Sequence, residues 1–147
     1  MPANHDQPSG WLRRLLKRRR WASVGRVGER LAAQHLKHQG YRILASNLRN
    51  RFGEIDILAV APDQRTVVIV EVKSSAQSAG CGSDMTPPEV HVNRHKQRKL
   101  VGLACQIARR HRLADRPIRF DVLAVDVSPD RGDTQIRHHA GAFESHV

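Results

Sequence analysis

Asp56, Glu71 and Lys73 are the residues whose types and spacing point to chemistry. The runs Glu54–Ala61 and Thr66–Lys73 are apolar and β-branched, and Pro62-Asp63-Gln64-Arg65 between them is good turn chemistry, so the pair reads as a hairpin. With residues 62–65 as the loop, Ala61 pairs with Thr66 and Asp56 falls directly opposite Glu71. Directly opposed Cβ atoms lie about 4.5–5.5 Å apart, where two carboxylates repel unless something neutralises them. A divalent cation is the simplest remedy. Hard ions such as Mg²⁺ or Mn²⁺ take one or two carboxylates plus water and substrate phosphate, which is the chemistry phosphoryl hydrolysis needs. A slip of one residue in register would break this geometry.

Lys73 follows Glu71 by two positions and so shares its face, while Val72 between them points to the core. An ammonium there can orient a nucleophilic water and stabilise charge on a phosphorane-like transition state. The plain alternative is a surface ion pair with Glu54, which the same register sets opposite Lys73. Glu29 is a third acid of interest, since helical spacing places it on a face with Ala32, Ala33 and Leu36. It either serves a cation or simply reaches water or a neighbouring Arg26 or Arg30.

These residues need elements to hold them. Ser23 reads as an N-cap, with a helix over Val24–Gln39 that stops at Gly40. Tyr41–Ala45 reads as a short strand, followed by the hairpin. Residues 74–86, SSAQSAGCGSDMT, lack periodicity and read as a mobile loop. A helix within Val90–His111 carries the stripe Leu100, Leu103, Ala104 and Ile107, and Ile118–Val127 is a last strand. Asp121 shares a face of that strand with Leu123 and Val125, which favours a structural role. The order α-β-β-β-α-β gives one sheet with helices to cover it, an α/β or α+β domain at residues 23–127, between a basic extension (1–22) and a polar tail (128–147).

The 147 residues carry 25 Lys+Arg against 14 Asp+Glu, a net charge of +11. One domain fits this length, and an anionic partner fits the charge. The charge is unevenly spread: residues 1–51 hold 12 basic and 2 acidic side chains, residues 52–90 hold 2 and 6, and residues 91–147 hold 11 and 6. An acidic centre between basic flanks suits a cation site bordered by surfaces that attract nucleic acid. Arg94, Lys96, Arg98 and Lys99 on the second helix are the leading phosphate contacts. Residues 11–21, from Trp11 to Trp21, form a basic stretch that reads first as a nucleic-acid arm, then as an inert tail or a membrane-surface helix. Cys81 and Cys105 form no CxxC or disulfide framework, and no run is apolar enough to span a bilayer, so a reducing cytoplasm is the expected location. Few aromatics interleave the basic helix, which argues against a single-strand stacking platform.

Gly25-x-x-Gly28-Glu29, Gly40-Tyr41, Asn47-x-Arg49, Gly53-Glu54-Ile55-Asp56-Ile57, Val70-Glu71-Val72-Lys73, the Lys96-Gln97-x-x-x-Leu100 region and Arg119-Phe120-Asp121-Val122 resemble, in order, the motifs of the YraN family of bacterial proteins. That family is similar to Holliday-junction resolvases and restriction-type nucleases of the PD-(D/E)xK fold, a mixed sheet flanked by helices. The resemblance implies a Mg²⁺- or Mn²⁺-dependent endonuclease acting on structured or branched DNA in preference to RNA. It gives Asp56, Glu71 and Glu29 as acidic positions, Lys73 as the catalytic lysine, and a homodimer as a common assembly. Gly53-Glu54-Ile55-Asp56 stands in place of the Pro-Asp that names the superfamily, and Ser75 stands where an Arg commonly follows the lysine. A nucleic-acid-binding protein that keeps the fold without turnover is the alternative reading.

Overall fold

The computed structural model describes residues 10–51, 53–76, 92–111, 113, 115–127 and 134–143, with the backbone alone for residues 10–23. Helix α1 (Gly10–His38) leads into three strands, β1 (Arg42–Asn50), β2 (Gly53–Val60) and β3 (Val67–Ala76). Helix α2 (Arg94–Arg110) then crosses to β4 (Ile118–Val127), and β5 (Thr134–Phe143) is the last element among the described residues. The strands form one sheet in sequence order, antiparallel except for the parallel pair β3–β4 that α2 connects. The result is a mixed α+β domain with the expected α-β-β-β-α-β order and one strand more.

The sheet is covered on both faces. Ala32 and Leu36 of α1 pack on Ile57, Ala59, Val68, Val70, Leu123 and Val125, while Leu100, Leu103 and Ala104 of α2 pack on Leu58, Val67, Ile69, Phe120 and Val122. Burying apolar side chains on both sides makes β2, β3 and β4 continuous hydrophobic runs, the composition that identified them in the sequence. Each such side chain contributes on the order of 1.5–3 kcal/mol of transfer free energy.

The first helix ends as its sequence dictates. Gly40 takes φ +85°, the Tyr41 N–H donates to Leu36 O and the Gly40 N–H to Lys37 O, and Tyr41 packs in the same cluster as Leu36. These are the paired bonds and the apolar contact of a Schellman ending. Its beginning differs from expectation. The helix runs unbroken through Ser23 from Gly10, so the helix does not start at Ser23 and the backbone of residues 10–22 belongs to α1. Their side chains, and the apolar stripe expected there, lie outside the described residues. Residues 62–65 do turn the hairpin: Asp63 accepts from the N–H groups of Arg65 and Thr66, and these bonds with the Thr66 hydroxyl bond, the strongest of them, pull its pKa down to about 2.

Two further corrections concern boundaries. β3 continues through Ser74, Ser75 and Ala76, residues read from the sequence as loop, while the rest of that expected loop lies outside the described residues. The expected polar tail contains β5, which pairs with β4 from Val127↔Thr134 to Phe120↔Phe143. Its sequence, TQIRHHAGAF, alternates weakly and carries two histidines and a glycine. Its strand state comes from the open edge of β4, not from local propensity.

Candidate active site

The β2–β3 ladder keeps the expected register through four pairs, from Val60↔Val67 to Ile57↔Val70, and stops one pair short of Asp56 and Glu71. Beyond that point β2 remains paired with β1 to Gly53, and β3 with β4 to Ala76. The sheet therefore forks, and the two carboxylates stand at the fork. Ile55 packs on the α2 side whereas Ile57 packs on the α1 side, so the two-residue alternation is interrupted at Asp56. In place of a ladder bond, Asp56 Oδ2 accepts the Val72 N–H at 2.7 Å.

Glu71 is 4% exposed, a rare state for a carboxylate without compensation. Its Oε1 faces two ammonium groups: Lys73 Nζ at 3.3 Å and Lys96 Nζ in direct hydrogen-bonding contact. Its Oε2 is buried with no hydrogen-bond partner. Asp56 is held up to a pKa of about 6, first by burial and then by the charge of Glu71, with a smaller push from Glu29; the Val72 N–H and Lys96 act the other way. Two neighbouring acids, one with its proton affinity raised by the other's charge and the other with an unsatisfied buried oxygen, have the donor chemistry for a hard divalent cation. Among the described residues no three His, Cys, Asp or Glu side chains gather into a group that could share an ion. Among the described residues the donors at the fork are these two carboxylates, which suits an ion that keeps most of its water.

Glu29 is half-buried on α1 and acts on Asp56 through its charge. The helix reaches the sheet through Gly28, where an added Cβ would fall 1.8 Å from Ser74 Oγ and 2.7 Å from Ser74 Cβ. Only glycine allows α1 to lie this close to β3, and that approach brings Glu29 into range. Lys73 is not paired with Glu54, as the register alone suggested: Glu54 bonds Arg49 of β1 at 3.3 Å, and Lys73 turns to Glu71. Ser75 donates its hydroxyl to Asp126, which also receives Arg137, so this position supports β4–β5 and faces no carboxylate of the fork.

Of the four cations expected to touch phosphate, Arg94, Arg98 and Lys99 are exposed on α2, whereas Lys96 is drawn into the fork. A signal for this was present: Lys96 precedes Leu100 by four residues and so shares the buried face of α2. Asn93 caps that helix through the His95 N–H. A cavity of about 310 Å³ beside the fork is lined by Gly53, Glu54, His95, Lys96, Lys99 and Leu100 among others. The larger groove, about 630 Å³ between β1 and the C-terminal half of α2, is lined by none of these carboxylates.

A second buried acid, Asp121, has a supporting role. It is 1% exposed, bonded by Arg119 through both its oxygens (2.8 and 2.7 Å), by His138 Nε2 at 2.7 Å and by the Gly141 N–H at 3.0 Å. Burial alone would raise its pKa, but the bonds from His138, Arg119 and Gly141 outweigh that and hold it below the ordinary value. Arg119 also donates to the Tyr41 hydroxyl at 2.9 Å, tying β4 to the residue that ends α1.

The sequence from residue 28 to residue 125 matches the model of UPF0102, described as an uncharacterised protein family. The chain belongs to the UPF0102 (YraN) family. It is 39% identical over 122 residues to a UPF0102 protein of Pelobacter propionicus, covering 83% of each chain. It is 38% identical to one of Geotalea uraniireducens, covering 83% of this chain and 90% of that one. A third, of Syntrophus aciditrophicus, is 42% identical over 107 residues, 73% of this chain and 79% of its own. The matched family segment contains Glu29, Asp56, Glu71, Lys73, Lys96 and Asp121, and ends before β5.

Proposed function

We propose that this UPF0102 protein is a metal-dependent endonuclease that hydrolyses phosphodiester bonds in nucleic acid, structured or branched DNA above all, in the cytoplasm. The observation that carries the reading is the forked sheet with Asp56 and Glu71 at its mouth, one oxygen of Glu71 buried without a partner and Lys73 against the other. Asp56 and Glu71 would hold Mg²⁺ or Mn²⁺, which when bound makes a water more acidic and neutralises phosphoryl charge. Lys73 orients the attacking water and stabilises charge that builds on the phosphoryl oxygens. Its ammonium is kept in place by Glu71, while Asp56 is fixed by the Val72 N–H. The exposed cations Arg94, Arg98 and Lys99 hold the phosphate backbone without reading sequence.

A binding protein without turnover is the second reading. It draws support from the two-carboxylate donor set among the described residues and from Ser75, engaged with Asp126 at a position where a basic side chain would meet substrate. The decisive measurement is cleavage of linear, flapped and four-way DNA and of RNA with Mg²⁺ or Mn²⁺, against EDTA. Asp56→Asn, Glu71→Gln and Lys73→Ala should each lower the rate by about 100-fold or more. Cleavage that survives Asp56→Asn and Lys73→Ala would remove the proposed centre, and binding without cleavage of every substrate would establish the second reading.

A further inference from the structure

Glu71 is used unevenly. Both ammonium groups, from Lys73 on its own strand and Lys96 on α2, crowd onto Oε1, and Oε2 is left buried and bare. A divalent cation drawn to Oε2 and Asp56 would make three cations around one carboxylate. Lys96 lines the 310 Å³ cavity with His95 and Lys99, a lining in which Lys73 has no part. That cavity lies at the first turn of α2, where Arg94, His95 and Lys96 meet the positive end of the helix dipole; no acidic residue stands in that turn, and Glu54 of β2 is the carboxylate in the cavity's lining. Cations so placed lower the stability of the free helix and suit the capture of an anion.

We propose that Lys96 is an internal counter-ion that competes with the metal for Glu71 and, once displaced, completes a phosphate-binding cavity with His95 and Lys99. Metal loading and phosphate capture are thereby coupled. With Lys96 on Glu71, the cavity has one cation fewer; with the metal on Glu71, Lys96 turns outward to phosphate. By linkage, a bound phosphate pulls Lys96 away from Glu71 and tightens the metal to the same degree. Lys96 acts as a positioning residue and takes no part in bond making. The inference rests on the metal-site reading above, but not on turnover.

The test uses the full chain, Ca²⁺ and Mg²⁺ as metals, and inorganic pyrophosphate at concentrations too low to deplete free metal, with a short DNA duplex as a second anion. Calorimetry would give metal affinity without anion, and anion affinity with and without metal. In the wild-type protein each ligand should tighten the other by about fivefold or more. Lys96→Met should bind the metal severalfold more tightly than wild type and lose the coupling, and Lys96→Arg, which keeps the charge, should retain both the competition and the coupling. Lys99→Met should weaken the anion equally with and without metal. Asp56→Asn marks the metal as bound at the fork. Metal affinity in Lys96→Met equal to or below wild type, in a variant whose circular dichroism and melting show it folded, would overturn the proposal. Metal binding in neither wild type nor Lys96→Met would overturn it together with the metal-site reading. Coupled binding without cleavage would leave it standing while the nuclease reading fell.

Discussion

Asp56 is where the chemistry of the fork becomes measurable without knowing the substrate. Its pKa in the folded, metal-free protein is about 6, against about 3.9 for a free aspartate, because burial and Glu71 disfavour its charge. The native state therefore binds this proton more tightly than the unfolded chain does. The resulting contribution to stability is present at low pH and is lost as pH rises through about 6. Two units correspond to at most about 2–3 kcal/mol. In EDTA, stability by urea unfolding should fall between pH 5 and pH 7 more steeply for the wild-type protein than for Asp56→Asn. Added Mg²⁺ should restore stability at pH 7.5 and do little at pH 5, where the proton already occupies the site. The residues of this centre were legible in the sequence because a strand's two-residue period places Glu71 and Lys73 together. The turn at 62–65 then fixes Asp56 near them. Lys96 was legible as a cation on the face of α2 that carries Leu100, but what it touches depends on where α2 crosses the sheet.

At the scale of elements, the decisive contact is Gly28 against Ser74. Gly28→Ala would drive a methyl group into the Ser74 side chain, and either α1 or β3 must give way. We expect a loss of about 1–3 kcal/mol, typical of overpacking, and a weakening of whatever Glu29 does at Asp56. Ser74→Gly removes both atoms in conflict, so the double variant should regain most of the stability; thermal melts of the two single variants and the double one test this. If Gly28→Ala is neutral, the close approach of α1 is not what positions Glu29. The helices and the central strands followed from periodicity, and so did the stop at Gly40 and the span Ile118–Val127, but the start of α1 and the end of β3 did not. Ser23 has the chemistry of a cap, yet a helix continues through a serine when the chain before it also favours helix, and Trp11–Trp21 is rich in Leu, Arg and Lys.

For the whole molecule, two features decide behaviour: the uneven charge and the closing strand β5. Among the exposed cations, Arg94, Arg98 and Lys99 project from one helix end. Replacing all three with Gln should reduce the slope of log K against log salt by up to about 3 for DNA binding, uniformly across sequences. The free protein should be no less stable, since these cations oppose the helix dipole. β5 matters through Asp121, whose buried charge relies on His138 and the Gly141 N–H from that strand as well as on Arg119. His138→Ala should cost about 1.5–3 kcal/mol, the range for a bond to a charged group. Because the Asp121 pKa is depressed, its contribution is full above about pH 3.9 and is lost on acidification. The His138→Ala variant should lose less of its remaining stability as pH falls below 4 than the wild type does.

The sequence alone determined the central elements, the hairpin register and the carboxylate and lysine positions, because short-range periods of two and 3.6 residues and turn chemistry are written in neighbouring residues. The family motifs agreed with that reading. Only the tertiary structure decided that the sheet forks at Asp56, that Lys96 reaches Glu71, and that a polar C-terminal segment is a strand holding Asp121. Each of these depends on contacts between residues at least 16 positions apart. Such contacts are set by how faces pack and which sheet edge is open, and no local pattern encodes that.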